Sequence, residues 1–198
     1  MQPYWRKCSN NMVDNFLQRK TDVLSKLDKS SVGKWDKQII SLCNKINKKE
    51  NFYTTSSCSG RAMLMIDQEK KGENLFLFVS HNKITFKQLK EEVLKSAKKK
   101  KNIKFKLEPC ILHVACKTME DTKVLFEKGK GAGFKRLGII GTSHGFTFEL
   151  NSTEKLEFPI IQKGKILIDD NFLKLIVKDA NSKLEKSWLK INRFEKLI

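Results

Sequence analysis

A chain of 198 residues with 39% hydrophobic and 31% charged side chains can bury roughly 70% of its unfolded surface as a globular fold without disulfides. No unbroken apolar run is longer than the five residues of Leu75–Val79, far short of the ~20 residues of a membrane helix, and the N-terminal MQPYWRKCSNN has no apolar core beside its basic residues, so no secretory signal is expected and the expected location is cytoplasmic, or nuclear. A formal charge of +18 asks for a polyanionic partner, nucleic acid first, because basic side chains draw phosphates by releasing condensed counterions.

In chain order, Phe16, Leu17, Lys20, Val23, Leu24 and Leu27 keep helical spacing, and after Ser-Ser-Val-Gly a second core-facing stripe runs through Trp35, Ile39, Leu42, Cys43 and Ile46. Strands are expected at Phe52–Cys58, Ala62–Ile66 and Leu75–Val79, the last two joined as a hairpin. Thr85 caps a helix carrying Phe86, Leu89, Val93 and Ala97. From Ile103 to Lys117 the pattern is strand again, broken at Pro109, which suggests an edge or a bulge. Thr118 and Asp121 open a helix through Val124, Leu125 and Lys128 that Gly129 should close. Strands at Leu137–Thr142, Phe146–Leu150, Glu157–Ile161 and Ile166–Ile168 precede a long helix from Asp169 or Asp170, with its stripe at Leu173, Ile176, Ala180, Leu184, Trp188 and Ile191. Helices before, between and after antiparallel-looking strands indicate an α+β fold, and the lack of a Pro/Ser-rich linker indicates a single domain over residues 1–198. A resemblance between the strand-turn-strand segments 52–66 and 137–150 suggests an internal duplication.

Several patterns invite chemistry. The glycines at 129, 131 and 133 imitate a nucleotide-binding loop, but a helix leads into them and a strand leaves, the reverse of what such a loop needs; a helix stop and turn account for them. Cys110, His113 and Cys116 cannot converge on a metal ion, because alternation on a strand turns His113 away from both cysteines. The five cysteines, odd in number and without a C-x-x-C pair, read as free thiols. Lysines at 95, 98 to 101, 104 and 106 suit either phosphate contacts or a solvated helix end. The stretch YTTSSCSGR, residues 53–61, combines small hydroxyls, a glycine and a planar guanidinium fork, the ingredients of a ligand cradle or of a plain polar turn. Cys58 would act as a nucleophile only with a base such as His81 or His113 in hydrogen-bond reach.

The segment Phe52–Arg61 closely resembles the signature of the tRNA wybutosine-synthesizing protein 3 family. Val79-Ser-His81, Lys106-Leu-Glu-Pro109, Ile111-Leu-His113-Val, Gly133-Phe-Lys-Arg-Leu-Gly138, Asn151-Ser-Thr153 and Phe158-Pro-Ile160 follow in the family's order, and the resemblance spans roughly residues 14 to 195. Phe76 stands where relatives can carry tryptophan and Asn151 where a basic residue can occur. The resemblance implies a curled, barrel-like mixed β-sheet flanked by helices, unlike a Rossmann methyltransferase. It also implies an S-adenosyl-L-methionine-dependent methyltransferase that modifies a ring nitrogen of the tricyclic guanosine derivative beside the anticodon of phenylalanine tRNA. Ser57, Cys58, Ser59, Gly60, Arg61, Ser152 and Thr153 are then the expected cofactor-binding residues. His81 and His113 are the expected polar contacts or proton acceptors at the reacting base. No metal, DNA or membrane is expected, and a monomer is favoured. The competing reading is a non-catalytic tRNA or single-stranded RNA-binding module on the same basic surface.

Overall fold

Every strand pairing among the described residues is antiparallel. The computed structural model describes residues 15–26, 36–68, 75–142 and 145–198; Cys8, Leu27, Trp35 and most of the expected hairpin loop lie outside them. The strands are β1 (Phe52–Cys58), β2 (Arg61–Ile66), β3 (Phe76–Ser80), β4 (Ile103–Glu108), β5 (Ile111–Cys116), β6 (Arg136–Gly141), β7 (Phe146–Asn151), β8 (Leu156–Gln162) and β9 (Lys165–Ile166). The helices are α1 (residues 15–24), α2 (Ile40–Asn47), α3 (Phe86–Ala97), α4 (Met119–Gly131) and α5 (Asp170–Leu197). The α+β class is thus observed. The chain groups into two compact units, each assembled from separated stretches: Met1–Cys58, Ile111–Ser152 and Lys190–Ile198 in the first, Ser59–Cys110 and Thr153–Leu189 in the second.

In the first unit the sheet order is β1-β5-β7-β6. One face carries Leu112, Val114, Phe148 and Leu150, all at most 3% exposed. There α2 contributes Leu42, Cys43 and Ile46, and α4 contributes Leu125 and Gly129. Each buried Leu, Ile or Phe stabilises by about 1.5–3 kcal/mol. On the opposite face α1 covers one row, where Phe16 meets Tyr53 with centroids 5.1 Å apart beside Ala115. Among the described residues of the expected α1 stripe only Phe16 is deeply buried; Leu17 and Leu24 are 42% and 38% exposed, because α1 rests on the sheet along one narrow line. The chain's last turns close the unit, with Phe194 edge-on to Phe134 at 6.0 Å and Lys45 Nζ donating to the Glu195 carbonyl.

The expected stop at Gly129 is displaced. The capping box of Thr118 and Asp121 starts α4 as read, but the helix runs through Gly129. There a β-carbon would stand 2.9 Å from the Leu137 and Leu150 methyls, so the glycine admits these side chains against the helix. The true stop is Gly133, with φ +94; its N–H and that of Phe134 bond to the carbonyls of Lys130 and Gly129, both at 3.0 Å, a Schellman ending.

In the second unit the order is β3-β2-β4-β8-β9. Strict alternation along β4 buries Ile103, Phe105 and Leu107 and leaves Lys104, Lys106 and Glu108 on the other face. Leu89 and Val93 of α3 and Leu173, Ile176, Ala180 and Leu184 of α5 complete that core. The Thr85 cap is formed, its hydroxyl accepting from Gln88 N at 3.2 Å. Asn181 holds the preceding residue from both sides, accepting from Ile84 N and donating to Ile84 O. The β8–β9 turn has φ +47 at Lys163 and +85 at Gly164, the conformation of a two-residue hairpin that ordinarily carries Asn-Gly.

Two expectations about connections are corrected. Pro109 sits neither on an edge nor in a bulge: β4 lies between β2 and β8, β5 between β1 and β7, and the proline occupies the link between them. Without an N–H it ends the ladder of one sheet before the next begins. The similarity of 52–66 to 137–150 has no common topology, since β1 and β2 belong to different sheets whereas β6 and β7 pair directly.

Candidate active site

A bulge in β1 sets the face on which the signature residues point. Thr54 pairs with Val114 and Ser56 with His113, leaving Thr55 as the extra residue and reversing the alternation. Thr54 and Ser57 consequently face the helices: Thr54 N donates to Asn47 Oδ1 at 2.8 Å, and Ser57 hydrogen-bonds Cys43. Burial pushes the Cys43 thiol up to about 11 despite that bond, and burial pushes Cys116 up to about 12, so both are inert core thiols. Ser57, an expected cofactor ligand, is thereby turned away from His113.

The open face gathers other expected residues. Ser56, His113, Glu149 and Gly138 form one cross-strand row, and Cys58, Ile111, Asn151 and Arg136 form the next but one along the strands. Residues opposite one another share a face. His113 Nε2 lies 2.9 Å from Glu149 Oε2, with side chains 24% and 27% exposed. A carboxylate oxygen accepts, so Nε2 carries the hydrogen and Nδ1 is left as the acceptor nitrogen. Cys58 is diagonal to His113, at roughly 7–8 Å, beyond a direct thiol–imidazole bond.

Beyond this row the chain builds a polar corner. Ser152 is 1% exposed and accepts from Lys190 Nζ at 3.0 Å. The neighbouring Asn151 Oδ1 is buried without a hydrogen-bond partner among the described residues. Lys190 escaped the sequence reading; its signal was a lysine one position before the stripe residue Ile191, half-buried on an otherwise amphipathic helix.

The second unit holds Ser59, Gly60, Arg61, His81 and Thr153. Ser59 is fully buried, and Gly60 has φ +100, where an added β-carbon would stand 3.1 Å from the Glu108 carbonyl and 3.2 Å from Leu184 Cδ2. Gly60 thus adopts the positive φ expected of it, and its own chain fills the space beside it. Arg61 spends its fork internally too, Nε and Nη2 each 2.8 Å from Glu108 Oε2, with the guanidinium carbon 5.5 Å from the Phe76 ring centroid. Lys106 takes the other carboxylate oxygen at 3.0 Å. His81 follows β3, half-buried, and Thr153 is exposed. The lysine run divides: Lys104 pairs with Asp67 and Glu157, Lys106 with Glu108, and Lys98 to Lys101 remain exposed.

Burial alone would raise the Glu108 carboxyl, but the hydrogen bonds from Lys106 and Arg61 outweigh it and hold it below the ordinary range. A carboxyl depressed on folding lends stability above its unfolded value of about 4.3, and that stability drains as pH falls through the folded value. Glu108→Gln is therefore expected to flatten the acid limb of a Tm-against-pH curve below about pH 5, while running parallel to wild type, at lower Tm, from pH 6 to 8. Identical slopes on the acid limb would remove Glu108 from the acid response.

Comparison with known proteins bears on what this arrangement does. The family described as Methyltransferase TYW3 matches residues 18–198. A tRNA(Phe) 7-((3-amino-3-carboxypropyl)-4-demethylwyosine(37)-N(4))-methyltransferase of Archaeoglobus fulgidus is 35% identical over 175 residues, covering 87% of each chain. The protein of the same name from Thermococcus sibiricus is 35% identical over 184 residues, covering 90% of this chain and 91% of its own. The solved structure of the PH1069 protein from Pyrococcus horikoshii aligns with a TM-score of 0.83 at 31% identity, over 93% of this chain and 94% of that one. No helix among the described residues is long and apolar enough to cross a membrane. With the family model matched over residues 18–198 and relatives 35% identical over most of their length, the chain belongs to the TYW3 methyltransferase family.

Proposed function

We propose that this protein is an S-adenosylmethionine-dependent tRNA methyltransferase that methylates a ring nitrogen of the tricyclic wybutosine precursor beside the anticodon of phenylalanine tRNA. The observation that carries the reading is the nearly end-to-end match to two archaeal methyltransferases named for this reaction. S-adenosylmethionine, when bound, supplies a methyl group on a sulfonium, open to in-line displacement by the ring nitrogen. The residues present fit such a donor: its amino-acid end needs an acceptor for an ammonium and a cation for a carboxylate, and the orphaned Asn151 Oδ1 lies next to Ser152, which Lys190 already contacts. Ser152 and Thr153 belong to the same turn of chain.

His113 takes the proton of the reacting nitrogen through Nδ1, held in that tautomer by Glu149. The protein's main task is alignment of the two reactants, which can lower a barrier by up to ~7–11 kcal/mol, and the target base is extruded from its stack to be reached. Arg61 fixes Glu108 and the start of β2. The test is incubation with labelled S-adenosylmethionine and phenylalanine tRNA carrying the unmethylated precursor, followed by nucleoside analysis. A labelled, methylated tricyclic nucleoside is expected; label absent from position 37 would overturn the assignment.

A further inference from the structure

The corner of the second unit where α3 ends and the β8–β9 turn begins is basic throughout. Lys98, Lys99, Lys100 and Lys101 follow the helix, Lys163 and Lys165 flank the tip of the turn, and all six are exposed. The two segments touch: a β-carbon on Gly164 would stand 3.0 Å from the Ala97 carbonyl and 3.3 Å from Lys100 Cα, and Lys163 N donates to Asn102 Oδ1 at 3.0 Å. Asp67 gives its N–H to the Asn102 carbonyl and turns its carboxylate to Lys104 Nζ at 3.1 Å. None of the six lysines pairs with a carboxylate among the described residues.

Backbone geometry adds an independent mark. Lys100 (φ 53) and Lys163 (φ 47) are the two non-glycine residues with left-handed backbone among the described residues, and both lie in this corner. Glycine or asparagine occupies that conformation at least cost, so lysine holds these places against local preference, as happens where a side chain is needed for function. Cations at a helix C-terminus are favourable in themselves, which accounts for Lys98 and Lys99 but not for Lys163 and Lys165 on a hairpin. Six ammonium groups fixed together repel one another, and a polyanion relieves that repulsion.

We propose that this corner is a clamp for the phosphate backbone of the RNA substrate, remote in sequence from the reacting residues; the inference rests on the tRNA reading above. Lysine, a flexible point charge, suits contact with phosphates and carries no base readout. The experiment measures binding of a phenylalanine tRNA transcript as a function of salt for wild type, for K98Q/K99Q/K101Q/K165Q, and for K87Q/K155Q/K178Q/K186Q, which removes the same charge from exposed lysines elsewhere in the unit. Each phosphate contact contributes roughly 0.7–0.9 to the slope of log K against log salt. The clamp variant is expected to lose about 3 from that slope and at least tenfold in affinity at about 0.15 M salt. Its KM for tRNA should rise with kcat at saturating tRNA unchanged, and the control variant should lose far less.

Equal losses in both variants, or an unchanged slope in the first, overturn the clamp. So does an unchanged tRNA slope accompanied by lost binding to phosphatidylserine vesicles, which would assign the corner to a membrane surface. If the quadruple variant does not fold, Lys99→Glu and Lys165→Glu singly carry the same test, each expected to reduce the slope by about 1. A slope difference intact in a protein that transfers no methyl group would support the clamp while refuting the proposed activity, so the two failures are distinguishable.

Discussion

Replacing His113 by Ala is expected to lower the single-turnover rate of methyl transfer by about a hundredfold, the lower end of what a positioned acid or base contributes, with tRNA affinity and Tm near wild type. The expectation follows from placement. His113 stands on the open face of the first unit's sheet, its side chain 24% exposed and its Nε2 held by Glu149 at 2.9 Å. The ring is therefore fixed in orientation while Nδ1 stays available, and no core packing depends on it. Glu149→Gln should cost less, about tenfold, because the ring keeps its place but loses the tautomer control of a pure acceptor. Activity within threefold of wild type in His113→Ala would show that alignment alone carries the reaction.

Gly60→Ala is expected to destabilise the protein by about 2–5 kcal/mol, the sum of left-handed backbone strain of about 1–2 and overpacking of about 1–3. At φ +100 the added methyl meets the Glu108 carbonyl at 3.1 Å, a backbone atom that cannot swing aside. Gly133→Ala is the internal comparison: its φ is +94 with open space around it, so only the backbone component, about 1–2 kcal/mol, should appear. Differential scanning calorimetry of the two variants separates the contributions. Equal Tm losses would mean that the contact at Gly60 relaxes freely, and would reopen that position to a ligand.

Local chemistry made much of this architecture legible. The α5 stripe, the Thr85 cap and the Thr118 capping box are written within a few residues, and each forms as read. What escaped depends on partners distant in sequence. Gly129 looks like a stop until Leu137 and Leu150 arrive to need its missing side chain. Pro109 looks like an edge until β4 and β5 prove to belong to different sheets. At the site, His113 was visible as the polar residue on an apolar strand, but Glu149 as its partner depends on β5 pairing with β7 in one register. The inward turn of Ser57 depends on a bulge that no single residue announces, and Lys190 reaches Ser152 across 38 positions of sequence.

The interleaving of the two units has a consequence for synthesis. The chain passes between them at residues 58, 110, 152 and 189, so a nascent polypeptide leaving the ribosome holds the opening strand of the first unit long before Ile191 and Phe194, 1% and 0% exposed, exist to finish its interior. The early strand of that unit must therefore wait, shielded or loosely collapsed, until these residues emerge.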